Sequence, residues 1–193
     1  QTGWLKAHYP AEFQAANLTK NLSNMDEIKK IMDDCKKNGI KVLNPDINES
    51  DARFTVNQKG EIRFGLGGIK GVGEAPALAI VAEREANGPY AGFMDFCLRL
   101  AGTPVVNKRV LENLTRTGAF STIAPNRAKL FGNIEYALKR AQQSALEKKS
   151  SQINFFDMMS SGGQEKVDDS QLVDLPPYSP VDELRFERDL LGV

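Results

Sequence analysis

A chain of 193 residues with 41% apolar side chains, 25 Lys/Arg against 25 Asp/Glu and one His has the composition of an ordinary soluble protein, long enough for one sizeable core or two small ones. No apolar run reaches membrane-spanning length and no charged-then-apolar leader opens the chain, so no membrane partner is expected and a cytoplasmic location is. Cys35 and Cys97 lack Cys-x-x-Cys spacing and His8 stands alone, which argues against a disulfide framework or a metal site and for two reduced thiols. In chain order, Pro10 suits a first helical turn, and Phe13, Ala16, Asn17 and Leu18 lead into a short helix. Asn24 caps a second, whose early Asp26 and Glu27, apolar Ile28, Ile31, Met32 and Cys35, and late Lys36 and Lys37 fit the helix dipole. "IKVL" reads as a short strand, and "RFTV" and "EIRF" flank "NQKG" as a hairpin. Ala75 to Ala86 is helical and stopped by "NGP"; "GFMDFCLRL" is a brief apolar helix. In "NKRVLENLTRTGAF", Val110, Leu111 and Leu114 share a helix face before a tight exit, and residues 126–149 form one long helix. From Ser150 a Ser/Gly/Asp/Pro-rich linker surrounds a small apolar island, and "VDELRFERDLLGV" closes the chain as a helix.

The zero net charge hides an asymmetry. Residues 1–98 carry 12 basic and 13 acidic side chains, residues 99–149 carry 10 and 3, and residues 150–193 carry 3 and 9. A basic middle block points either to a local anionic partner or to solvated helix faces.

The stretch "GLGGIKGVGEAPALAI" poses the functional question. A dinucleotide fingerprint needs a third glycine where Lys70 stands, and a phosphate loop needs Gly-Lys-Ser/Thr, which occurs nowhere. "IKGVGEA" fits a helix-hairpin-helix turn better. Gly71 and Gly73 admit positive φ, and a helix N-terminus behind them offers bare N–H groups to a phosphate oxygen. Lys70, Gly71, Val72 and Gly73 are the candidate contacts. A weaker turn, "LTRTGAF" with Gly118, lies in the basic block, where Lys108, Arg109, Arg116, Arg127 and Lys129 could supply charge. A nucleotide-binding enzyme domain, or an interaction scaffold without DNA contact, are the alternatives.

Six stretches, "WLKAHYPAEFQAANLT", "GIKVLNPDINESDARFTV", "IRFGLGGIKGVGEA", "FMDFCLRL", "NKRVLENLTRTGAF" and "ELRFERDLLGV", resemble the alpha-subunit family of bacterial DNA polymerase III. The resemblance implies a mostly α fold with a small β hairpin and a tandem helix-hairpin-helix region that binds duplex DNA. It implies the end of a fingers domain over 1–60, the helix-hairpin-helix region over 61–149, a linker over 150–180, and over 181–193 the start of a helix leading to an absent oligonucleotide-binding domain. The family's palm aspartates have no counterpart here. The expectation is therefore a fragment without cofactor or catalytic residues, inactive alone, from a nucleotidyltransferase that uses Mg2+. Within the linker, Gln152, Ile153, Asn154, Phe155 and Phe156 resemble the family's peptide for the sliding clamp (the beta subunit), with Phe155 at the usual aliphatic position. Other holoenzyme subunits would be met through absent regions.

Overall fold

The computed structural model describes residues 2–151 and 168–192. Helices α1 (Thr2–His8), α2 (Pro10–Lys20) and α3 (Met25–Lys37) lead the chain. Asn24 Oδ1 accepts the Glu27 N–H at 3.3 Å, so α3 begins where its cap dictates, and Ile28, Met32 and Cys35 form its buried stripe. Strands β1 (Val42–Leu43), β2 (Thr55–Val56) and β3 (Ile62–Arg63) follow. The hairpin predicted around "NQKG" is present: β2 runs antiparallel to β3, and Asn57 Oδ1 accepts the N–H groups of Lys59 and Glu61. The "IKVL" strand joins it as β1, parallel to β3, giving the order β1-β3-β2.

A 3-10 turn (Leu66–Gly68) then enters α4 (Glu74–Asn87), followed by α5 (Phe93–Arg99), α6 (Lys108–Arg116), α7 (Arg127–Gly132), α8 (Ile134–Ser151), a second 3-10 turn (Asp169–Gln171) and α9 (Pro180–Leu191). One apolar core runs from Ala11 to Leu191. Its centre is aromatic: Phe120 meets Phe93 and Phe96 edge-on at 5.2 and 5.0 Å, and Tyr90 meets Phe96 at 4.9 Å. Each buried ring contributes about 2–3 kcal/mol through lost water contact, and the edge-to-face geometry fixes their arrangement.

Two expectations are corrected. The single helix over residues 126–149 is broken at Asn133, whose buried side chain donates to the carbonyls of Lys129 and Val173 and accepts the Val173 N–H. A side chain committed to a distant backbone segment marks the end of α7, and α8 begins at the next residue. Asp169 is likewise no idle linker residue. Its carboxylate accepts the N–H groups of Phe93 (2.9 Å) and Met94 (2.7 Å), capping α5, whose N-cap Gly92 has no side chain to do so. Leu172, beside it, is buried.

Candidate nucleic-acid interface

The glycine-rich stretch divides into two halves with different physical duties. In the first half, the Leu66 and Gly67 N–H groups donate to the carbonyls of Asp51 (2.9 Å) and Ala52 (3.0 Å). A Cβ on Gly67 would lie 2.8 Å from the Ala52 carbonyl oxygen. Close approach of two backbones explains Gly67, and the Leu66 and Gly67 amides have no capacity left for an outside phosphate.

The second half is the opposite. Val72 N–H donates to the Ile69 carbonyl at 3.0 Å, closing a tight turn in which Gly71 and Gly73 hold φ of +81° and +80°. Gly73 is the N-cap of α4 and brings no capping side chain. Among the described residues, the N–H groups of Gly71, Gly73, Glu74 and Ala75 meet no acceptor. They sit at the positive end of a 14-residue helix. The arm before this turn is only the 3-10 turn Leu66–Gly68, shorter than the helix expected there. Along α4, Ala77 is buried, while Ala75 is exposed and Ala79 half-buried.

The turn is held from both sides. The Lys70 N–H donates to the Leu190 carbonyl near the end of α9 (3.1 Å), and the Lys70 carbonyl accepts from Asn113 Nδ2 on α6 (2.7 Å). Arg109, one turn before Asn113, lies over Gly71, where a Cβ would come within 2.8 Å of its Nε. Lys70 and Arg109 are exposed, and neither forms an ion pair among the described residues. Val72 points inward and is 5% exposed.

The turn at Gly118 has the reverse character. Thr117, Gly118 and Ala119 donate their N–H groups to Asn113, Thr115 and Leu114 at the end of α6 (3.0, 3.1 and 3.1 Å). Gly118 is buried beneath the Arg127 guanidinium. Arg127 is 8% exposed and donates to the Arg116 carbonyl (3.0 Å) and to Glu187 Oε1 (2.7 Å). Arg116 lies between two rings, 4.5 Å from the centroid of Phe131 and 5.3 Å from that of Phe186. Lys129 pairs with Asp174 and Lys108 with Glu135, each at 2.6 Å. The hydrogen bond to Glu135, reinforced by its charge, holds the Lys108 ammonium above the usual lysine range.

Of the ten candidate DNA contacts, the fold gathers Lys70, Gly71, Val72, Gly73 and Arg109 at one turn. It sets Lys108, Arg116, Gly118, Arg127 and Lys129 apart from that turn and gives the four cations internal partners. Gln152, Ile153, Asn154, Phe155 and Phe156 lie outside the described residues. Asn113, which anchors the turn, escaped sequence reading because its partner is 43 residues away. Among the described residues no three His, Cys, Asp or Glu side chains converge to hold a metal ion, and no helix is long and apolar enough to cross a membrane.

Residues 39–130, which contain both turns, match the family model of the helix-hairpin-helix motif. Across its length the chain is similar to DNA polymerase III subunit alpha of several bacteria. It is 46% identical to that of Neisseria meningitidis serogroup B over 192 residues, and 40% and 39% identical to those of Escherichia coli K12 and Haemophilus influenzae over 193 residues. All of this chain is aligned, but it spans only 16% of each relative. The chain is thus homologous throughout to one segment of that subunit.

Proposed function

We propose that this chain, homologous over its whole length to a segment of DNA polymerase III subunit alpha, holds the sugar–phosphate backbone of duplex DNA at the Ile69–Gly73 turn. The observation that carries the reading is the set of unpaired N–H groups at Gly71, Gly73, Glu74 and Ala75, flanked by the unpaired side chains of Lys70 and Arg109. Amides at a helix N-terminus suit a phosphate oxygen, and these give up only water, not an internal acceptor, to bind it. Arg109 supplies a planar donor fork and Lys70 a point charge. None of these groups reads a base edge, so binding is independent of sequence and serves to position the duplex. Nucleotide transfer, with its Mg2+, belongs to parts of the subunit outside this chain.

Titration of labelled duplexes of unrelated sequence against salt tests this reading. Two phosphates neutralised by Lys70 and Arg109 contribute roughly −1.8 to the log–log slope. Lys70→Ala with Arg109→Ala flattens the slope by that amount without moving the melting temperature. A strong sequence preference, or a slope untouched by the double variant, would sink the proposal.

We propose a second role, which rests on the spacing of Gln152, Ile153, Asn154, Phe155 and Phe156 in the sequence after Ser151: a peptide that docks the sliding clamp. Two adjacent Phe side chains suit an apolar pocket, with the Gln152 amide at its rim. Phe155→Ala with Phe156→Ala abolishes clamp binding and leaves duplex affinity intact. An early melt with normal clamp binding would assign the rings to the core instead.

A further inference from the structure

The glycine turn is one end of a longer groove. A cavity of about 450 Å³ lies between the turn joining α2 to α3 and the Gly67–Gly73 segment, with Lys70 and Arg109 on its border. A second cavity of about 480 Å³ shares Leu22, Ser23, Gly67 and Gly73 with it and carries Lys20 and Arg53 on its border. The two adjoin at these four residues. Four cationic side chains line them, and Glu74 is their one carboxylate.

The charges at the far end are available. Lys20 is exposed and has no ion-pair partner among the described residues. Arg53 Nη2 lies 3.5 Å from Glu74 Oε1, with both side chains mostly exposed (66% and 51%). A long contact between solvated groups is weak, and a phosphate can take the guanidinium from it at little cost. At Gly73, where the two meet, nothing lies within 4 Å of where a Cβ would stand, so a ligand can approach the backbone closely. No aromatic side chain lines either cavity, so neither offers a stacking platform for a base.

We infer that this groove carries the same DNA strand onward from the glycine turn, with Lys20 and Arg53 contacting two further phosphates and Glu74 opposing them. The inference rests on the duplex-backbone reading of the turn. A polyanion fits the charge balance, and a continuous strand fits two cationic ends that meet at Gly73. Neither Lys20 nor Arg53 stands near the glycines in sequence, and only the packing of α2 against the hairpin brings them there.

The experiment is the same salt titration on the same duplexes, with Lys20→Ala and Arg53→Ala combined. Both sites are exposed, so the melting temperature is expected to hold. The slope falls by about 1.8, corresponding to two phosphate contacts. Glu74→Gln tightens binding several-fold, and Lys36→Ala with Lys37→Ala, at the far end of α3, changes nothing. If Lys20→Ala/Arg53→Ala leaves the slope unchanged while Lys70→Ala/Arg109→Ala still lowers it, the strand does not follow the groove and this inference fails alone. If neither pair matters, the reading of the turn fails with it.

Discussion

Arg127 and Glu187 form an ion pair of 2.7 Å between α7 and α9, with side chains only 10% and 12% exposed. The pair does more than join two helices. Arg127 also covers Gly118 and takes the Arg116 carbonyl, while α9 ends with the Leu190 carbonyl on the Lys70 N–H. One helix therefore touches both glycine turns.

Glu187→Ala is expected to cost about 2–3 kcal/mol, because it leaves the buried Arg127 guanidinium with only the more distant Glu183 carboxylate (3.8 Å), a largely stranded charge rather than merely a deleted attraction. Urea unfolding measures this directly. The double variant with Arg127→Ala costs less than the sum of the single ones, since the stranded charge is gone.

Gly71→Ala separates backbone strain from contact. At φ +81° an alanine is disfavoured, and its Cβ would come within 2.6 Å of Asn113 Nδ2 and 2.8 Å of Arg109 Nε. Stability falls by about 1–2 kcal/mol, and duplex affinity falls with it as Arg109 is pushed aside. Gly39→Ala, at φ +68° with nothing near, carries a similar backbone cost and leaves affinity unchanged. Equal affinity losses in the two variants would mean that global stability, not the turn, controls binding.

Asp169→Ala removes the acceptor for two amides of α5, and the chemical denaturation midpoint should report a loss of about 1–2 kcal/mol. Asp169→Asn, which keeps one acceptor oxygen, recovers part of it. Neither change alters duplex binding, because α5 has no part in the groove.

Alkaline pH is expected to unfold the protein in a defined window. Burial pushes the Tyr90 phenol from 10.0 to about 12 and the Cys35 thiol from 9.0 to about 11. Cys97 is raised further by the same cause. Both Tyr90 and Cys35 are neutral when protonated, so the folded chain keeps its protons after the unfolded chain has lost them. Their contribution is whole below pH 9.0 and drains away as pH rises through 11 and 12. Tyr90 alone accounts for roughly 2–3 kcal/mol of that loss. Urea melts across this range, with tyrosinate absorbance as the second probe, check it. Tyr90→Phe gives up the hydrogen bond to the Ile80 carbonyl (2.8 Å), at about 1 kcal/mol, but flattens the alkaline decline.

Local chemistry was legible in the sequence. The Asn24 cap, the stripe of Ile28, Met32 and Cys35, the hairpin at Asn57 and the positive φ of Gly71 and Gly73 each depend on residues within a few positions of one another. Short-range sterics and hydrogen bonding decide such features, and the sequence states them outright. The resemblance to the polymerase subunit was legible for the same reason, being carried by six contiguous stretches.

The fate of the charges was not. In sequence, Lys108, Arg109, Arg116, Arg127 and Lys129 form one basic block, and the last 44 residues form an acidic one. Folding lays part of the second block on the first: Glu187 reaches Arg127 and Asp174 reaches Lys129. The charge imbalance that pointed outward to a partner is thus partly spent inside the molecule, while Arg109 stays free because α6 turns it toward the glycine loop. Composition, caps and periodicity marked most of the helices, whereas the break between α7 and α8 and the cap of α5 came from long-range contacts of Asn133 and Asp169. Which cations face solvent was decided by pairs as far as 60 residues apart, because a charge is neutralised by whatever the tertiary packing brings within a few ångströms, and no local pattern encodes that distance.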